Sequence, residues 1–226
     1  MARKARRRAA GRAGSRRAAR AQARPMGPRD VIEAALALAG ERPWRDVTLS
    51  DIAERSGTDL ARLRAAYPSK QAILAAFADR MDAAMLGGID AEAGAEPVHD
   101  RLVDTLLRRI EALAPHKRAI GSIARDTVAI PDAALCAGAR LLRSMAWALE
   151  ASGAGPQGLF GRLRVKALAA IYLSTLCVWL RDDDPELLRT MAHLDRRLRQ
   201  AGRLEGLIGR LPRGVRPQEA DQGAAS

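Results

Sequence analysis

Apolar residues recur at three- and four-residue intervals along nearly the whole chain, which is the spacing of one face of an α-helix. Val31, Ala34, Ala35 and Leu38 share such a face, with Pro28 placed to open the helix and Gly40 and Pro43 to close it. Trp44 and Val47 follow as apolar residues in a connection, placed to cover the end of that helix. Thr48 and Asp51, three residues apart, form a capping-box-like start, with Asp in place of the usual Glu or Gln, and Gly57 is a natural terminator. After only Thr58 and Asp59, with Asp59 as N-cap, a second short helix runs from Leu60 to Tyr67 and is stopped by Pro68. Ser69 caps again, and a longer helix runs from Lys70 towards Leu86, ended by Gly87 and Gly88.

Beyond Pro97 the helices lengthen: His99–Leu113, His116–Val128, Asp132–Ser152, Leu159–Arg181 and Pro185–Ile208, separated by Pro115, Pro131, the Gly153–Pro156 turn and Asp182-Asp183-Asp184-Pro185. Asp184 and Pro185 read as N-cap and first residue of the last helix, so the acidic triplet needs no metal to explain it. Sustained two-residue alternation and hairpin dipeptides are missing, so strands have no support. The pattern predicts an all-α chain of about nine helices: a basic arm over 1–28, a three-helix head over 29–86, a helical bundle over 87–208 and a disordered tail over 209–226.

Charge changes this picture at one place. The 226 residues have a formal charge of +12, and eleven of the cations, with no acid, fall in residues 1–29. The rest of the chain is near neutral, and residues 30–80 carry seven cations against eight acids. Aromatics are 3% of the chain, so Ala, Leu, Ile and Val must build the core. Cys136 and Cys177 are isolated, which disfavours a zinc site or a disulfide framework. The apolar run from Ala167 to Leu180 is shorter than the roughly 20 residues a bilayer span takes. The arm lacks the apolar core of a secretory signal; it shares an Arg-rich, acid-free character with transit peptides but has a single Ser and only Ala for an apolar face. A bacterial cytoplasmic protein is the expectation.

Two short helices joined by a tight Gly-containing turn match the helix-turn-helix pattern, in which the first helix braces the second against a major groove. Ile52, Ala53, Leu60 and Leu63 are expected to supply the apolar contact between the two, leaving Asp59, Leu60, Arg62 and Arg64 among the outward and N-terminal positions. The run from Val47 to Gly57, followed by Tyr67-Pro68-Ser69-Lys70 with Ile73 and Leu74 behind, resembles the TetR family of transcriptional regulators. It departs from the family at Asp59, where Ser is usual, and at Arg64, where Tyr is usual. The resemblance implies an all-α homodimer whose heads bind double-stranded operator DNA through Thr48, Asp59, Leu60, Arg62, Arg64, Tyr67 and Lys70. It also implies a body that binds a small molecule and thereby releases DNA. Phosphate contacts dominate DNA affinity, so a near-neutral head invites help from the arm, whose cations either follow phosphates or are simply solvated.

In the body, the segment Arg164–Arg181 is apolar almost all round, as expected of a helix inside a bundle or across a dimer interface. Leu187, Leu188, Met191, Leu194 and Leu198 form an inner stripe on the last helix, opposite Arg189, Arg196, Arg197 and Arg199. The segments Pro115–Ile120, Ala170–Leu180 and Thr190–Leu198 resemble the C-terminal part of the lipid-binding proteins that assist ubiquinone biosynthesis, which share the TetR-like fold without acting as repressors. That resemblance suggests an apolar ligand, with Met145, Trp147, Tyr172 and Trp179 as candidate lining residues. His99, His116 and His193 stand alone, outside any hydrolase, metalloprotease or phosphate-cradling motif, so no catalytic residue, metal ligand or cofactor is assigned. The sequence reads as a ligand-responsive repressor, with a lipid-binding accessory protein of quinone synthesis as the alternative.

Overall fold

A computed structural model of the chain describes residues 28–87, 96–155 and 158–208. The basic arm and the C-terminal tail lie outside the described residues. Those residues form nine α-helices and two 3-10 turns: α1 (Pro28–Glu41), a turn at Trp44–Asp46, α2 (Leu49–Ser56), α3 (Leu60–Ala66), α4 (Lys70–Leu86), α5 (Val98–Leu113), a turn at Ala114–His116, α6 (Lys117–Val128), α7 (Pro131–Ala151), α8 (Gly158–Trp179) and α9 (Leu188–Ile208). Among the described residues there is no strand, and no helix is long and apolar enough to cross a membrane. The chain divides into two compact units, Met1–Ala169 and Ala170–Ser226.

In the first unit, α1 is the hub. It packs against α2, α4 and above all α6. The expected face of Val31, Ala34, Ala35 and Leu38 is buried, but so are Ile32, Leu36 and Ala39, so the helix is enclosed on most of its circumference. Its partner α6 presents Ala119, Gly121 and Ser122 as buried positions, small residues that suit a close helix crossing. The Trp44–Asp46 turn is then fastened to the same helix. The Trp44 N–H donates to Ser122 Oγ (3.0 Å) and the Arg45 N–H donates to Asp126 Oδ2 (2.7 Å). Trp44 and Val47 are buried, as their place in the sequence suggests.

Behind the head, α4 packs against α5 and α7. Met81 and Met85 of α4, Leu102, Leu106 and Ile110 of α5, and Met145, Ala148 and Leu149 of α7 are all buried. One polar node sits among these helices: Asp82 accepts from the Arg109 guanidinium and from Ser144 Oγ (2.7 Å). A carboxylate and a guanidinium this shielded need each other, because removing either leaves a buried charge uncompensated. The α7 helix ends at a turn in which Gly153 has φ 77°, a left-handed conformation that favours glycine.

In the second unit, the start of α9 differs from the sequence expectation. Asp184 and Pro185 are not its N-cap and first residue. Asp184 instead closes a local turn, accepting from the N–H groups of Glu186 (3.0 Å) and Leu188 (3.4 Å), and Leu187 takes a left-handed conformation with φ 54° before α9 begins. The capping acceptor is the buried Asp182, which takes hydrogen bonds from Thr190 N (3.0 Å) and Thr190 Oγ1 (2.7 Å). These bonds, the hydroxyl's first, hold the Asp182 carboxyl below its ordinary pKa. The inner stripe is also narrower than expected: Leu194 and Leu198 are buried, whereas Leu188 and Met191 are exposed. Nor is α8 buried all round. Leu168, Ala169, Tyr172, Thr175 and Trp179 are buried, but Leu163, Ala167, Ala170, Leu173 and Cys177 are exposed along its length.

Candidate nucleic-acid interface

The α2–α3 pair is defined at each end by a short-range hydrogen bond. At the start of α2 the capping box is complete: Thr48 Oγ1 accepts from Asp51 N (3.1 Å), and Asp51 Oδ2 accepts from Thr48 N (2.8 Å) and Thr48 Oγ1 (2.7 Å). The Thr48 backbone bond, then its hydroxyl and Arg42, lower the Asp51 pKa. Gly57 ends α2 with φ 67°, a left-handed residue that lets the Thr58 N–H return to the Ala53 carbonyl (2.9 Å). Asp59 then caps α3, its Oδ1 accepting from Arg62 N (2.9 Å). Ser69 caps α4 in the same way, accepting from Ala72 N (3.1 Å).

Between these stops α3 touches the protein on one side only. Ile52 and Ala53 of α2 and Leu63 of α3 are buried, so the expected apolar contact forms without Leu60, which is 51% exposed. Ala61, Arg62, Arg64, Ala65 and Ala66 are all exposed. At about 3.6 residues per turn, Ala61 and Ala65 stand opposite Leu63, with Arg64 and Leu60 along one flank and Arg62 along the other. The outermost ridge of the helix is therefore two methyl groups, one turn apart. Neither alanine is among the contact residues expected from the sequence, although their spacing around Leu63 marks them as outward-facing.

Most of the head's cations are already engaged. Arg42 pairs with Asp51 (2.5 Å), Arg55 makes a two-pronged contact with Glu41 (2.8 and 2.6 Å), and Arg80 pairs with Glu33 (2.6 Å). Arg45 reaches Asp126 (3.5 Å) as well as Asp46 (3.9 Å), and Arg62 reaches Asp59 (3.6 Å). Lys70 turns inward: its ammonium donates to the carbonyls of Trp44 (2.6 Å) and Val47 (2.7 Å) and lies 4.2 Å from the centre of the Trp44 ring. Burial lowers its pKa, opposed by Asp126, Asp46 and Asp51. Of these seven, Arg64 is the one with neither an ion pair nor a side-chain hydrogen bond among the described residues. Tyr67 closes α3 from a buried position, and burial raises the pKa of its phenol.

The candidate ligand residues do not share one environment. Met145, Tyr172 and Trp179 are buried, whereas Trp147 is 54% exposed. An open cleft of about 670 Å³ lies elsewhere in the first unit, lined by Glu33, Leu36, Ala37 and Gly40 of α1 and by residues Ala114–Ala119. In it, the His116 ring packs edge-on against Phe77 with centroids 5.5 Å apart, and its Nε2 is 3.9 Å from Glu33. In the second unit, Ser174 Oγ and His193 Nε2 are 3.1 Å apart, and burial followed by Arg197 and Arg196 lowers the His193 pKa.

Residues 31–77 match the model of the bacterial regulatory proteins of the tetR family, and residues 164–205 match that of the COQ9 family. No curated protein matches the chain. Solved structures do. A TetR transcriptional regulator from Nitrosomonas europaea ATCC 19718 is 24% identical, with a TM-score of 0.66 over 77% of this chain and 97% of that one. A TetR transcriptional regulator from Rhodococcus sp. RHA1 is 21% identical, with a TM-score of 0.54 over 76% and 92%. A putative TetR-family regulator from Syntrophomonas wolfei is 15% identical, with a TM-score of 0.54 over 78% and 93%. The fold is thus the TetR-type fold, and residues 31–77, which hold the helix-turn-helix, are the part that matches the tetR family model.

Proposed function

We propose that this chain is a homodimeric, cytoplasmic transcriptional repressor that binds operator DNA through α2 and α3 and responds to an apolar small molecule. The observation that carries the reading is the α2–α3 pair itself: an exposed helix, anchored by Leu63 and fixed at both ends by Thr48, Gly57 and Asp59, in the position of a recognition helix. Thr48, Leu60, Arg62 and Arg64 are exposed there, Asp59 caps the helix, Tyr67 closes its far end, and Lys70 ties the start of α4 to the carbonyls of Trp44 and Val47. The eleven cations of residues 1–29 supply the phosphate affinity that the internally paired head lacks. Dimerisation uses the exposed apolar residues of α8 and α9, Leu163, Leu173, Leu188 and Met191. The COQ9-family match over residues 164–205 favours a second reading, a lipid-binding accessory protein of quinone synthesis that does not bind DNA.

Binding of the full chain, and of a chain lacking residues 1–27, to its own upstream region and to a scrambled duplex at two salt concentrations separates the two. The repressor reading expects the shortened chain to keep its preference for the native duplex at lower affinity. Binding that never depends on sequence, or vanishes with the arm, rejects it in favour of the lipid-binding reading.

A further inference from the structure

We infer that α3 reads thymine methyl groups through Ala61 and Ala65 and a guanine through Arg64. The inference rests on the proposal that α3 enters the major groove, and adds which bases it selects there. The ridge facing away from Leu63 offers no hydrogen-bonding side chain, because it consists of Ala61 and Ala65. Alanine is short enough to let the helix backbone approach the base edges, and the one base-edge group that rewards a bare methyl is the C5-methyl of thymine. The two alanines are four residues apart, about 6 Å along the helix, so the two methyl contacts fall within two base-pair steps of each other. Leu60, exposed on the flank next to Arg64, extends the same apolar surface.

Arg64 is the complementary half of the reading. The other cations of residues 30–80 have partners: Arg42 to Asp51, Arg45 to Asp126, Arg55 to Glu41, Arg80 to Glu33 and Lys70 to two carbonyls. Arg62, on the opposite flank, is held by Asp59. That leaves Arg64, among the described residues, with an unoccupied guanidinium fork beside the alanine ridge, and a fork of this kind pairs in two-pronged fashion with O6 and N7 of guanine. Asp59 adds discrimination: fixed as the cap of α3, its carboxylate repels a phosphate from that end, which restricts how the helix can seat.

The test is selection from a randomised duplex library with the full chain, alongside R64A and R64K. The wild-type chain is expected to enrich a site with thymines and an essential guanine. R64A should lose the guanine preference, about tenfold or more at that base pair, while the thymine positions keep theirs. R64K, which keeps a donor for O6 and N7 but not the fixed fork, should keep part of the guanine preference. Replacing the selected thymines by deoxyuridine removes only the methyl groups and should weaken wild-type binding about fourfold per contact. Wild-type affinity for the deoxyuridine duplex overturns the methyl reading. R64A weakening that is uniform over all duplexes makes Arg64 a phosphate contact and overturns the guanine reading. Enrichment of no sequence at all by the wild-type chain removes the DNA-binding proposal itself, a result distinct from the other two.

Discussion

The α2–α3 pair and the α4–α5–α7 group are both small helical assemblies, yet they are held by different means. In the first, the hydrogen bonds that set the ends join residues three to five apart, and one leucine anchors α3. In the second, the decisive polar contact joins Asp82 to Arg109 and Ser144, 27 and 62 residues away, and lies among buried apolar side chains. The first can be altered in small steps without collapse, which suits a surface that must be tuned to a base sequence. The second is an all-or-nothing contact, which suits a scaffold.

The largest effect should come from Arg109→Ala. It strands the Asp82 carboxylate in the body, and unfolding by denaturant should show a loss of about 3–5 kcal/mol. A loss below about 1 kcal/mol would mean that water reaches the node and that the contrast is false. Lys70→Met comes next. Removing a charged donor from two carbonyls should lower stability by about 2 kcal/mol while leaving the salt dependence of DNA binding unchanged, since that ammonium does not face phosphate. A shallower salt slope in this variant would return Lys70 to the DNA. The smallest effect belongs to Asp59→Ala, about 1 kcal/mol from the lost cap, in a protein that still folds cooperatively.

The same contrast explains what could be read in advance. Thr48, Gly57, Asp59 and Ser69 act on backbone groups a few residues away, so spacing alone located α2, α3 and the start of α4. The wider contacts were not legible. Nothing in the spacing of Ser122 and Asp126 announces that they grip the backbone at Trp44 and Arg45, some 80 residues earlier. The place of Lys70 in the TetR-like motif implies that it faces DNA, but only the fold shows the two carbonyls that claim its ammonium. Asp184 before Pro185 looked like a helix start, and the competing acceptor, Asp182, won because it is buried beside Thr190. The exposed leucines of α8 could not be told from core by hydrophobicity alone, since both faces of that helix are apolar.

The enclosure of α1 carries a consequence for how such proteins diversify. Because α1 packs on α6 as closely as on its own head, and the Trp44–Asp46 turn hangs from Ser122 and Asp126, the reading head is not a detachable module. A chimera that grafts residues 28–87 onto another body would carry α1 without the helix it packs against most extensively. New specificities are more simply reached by changing Ala61, Arg64 and Ala65 in place. This head can be transplanted only when α6 travels with it.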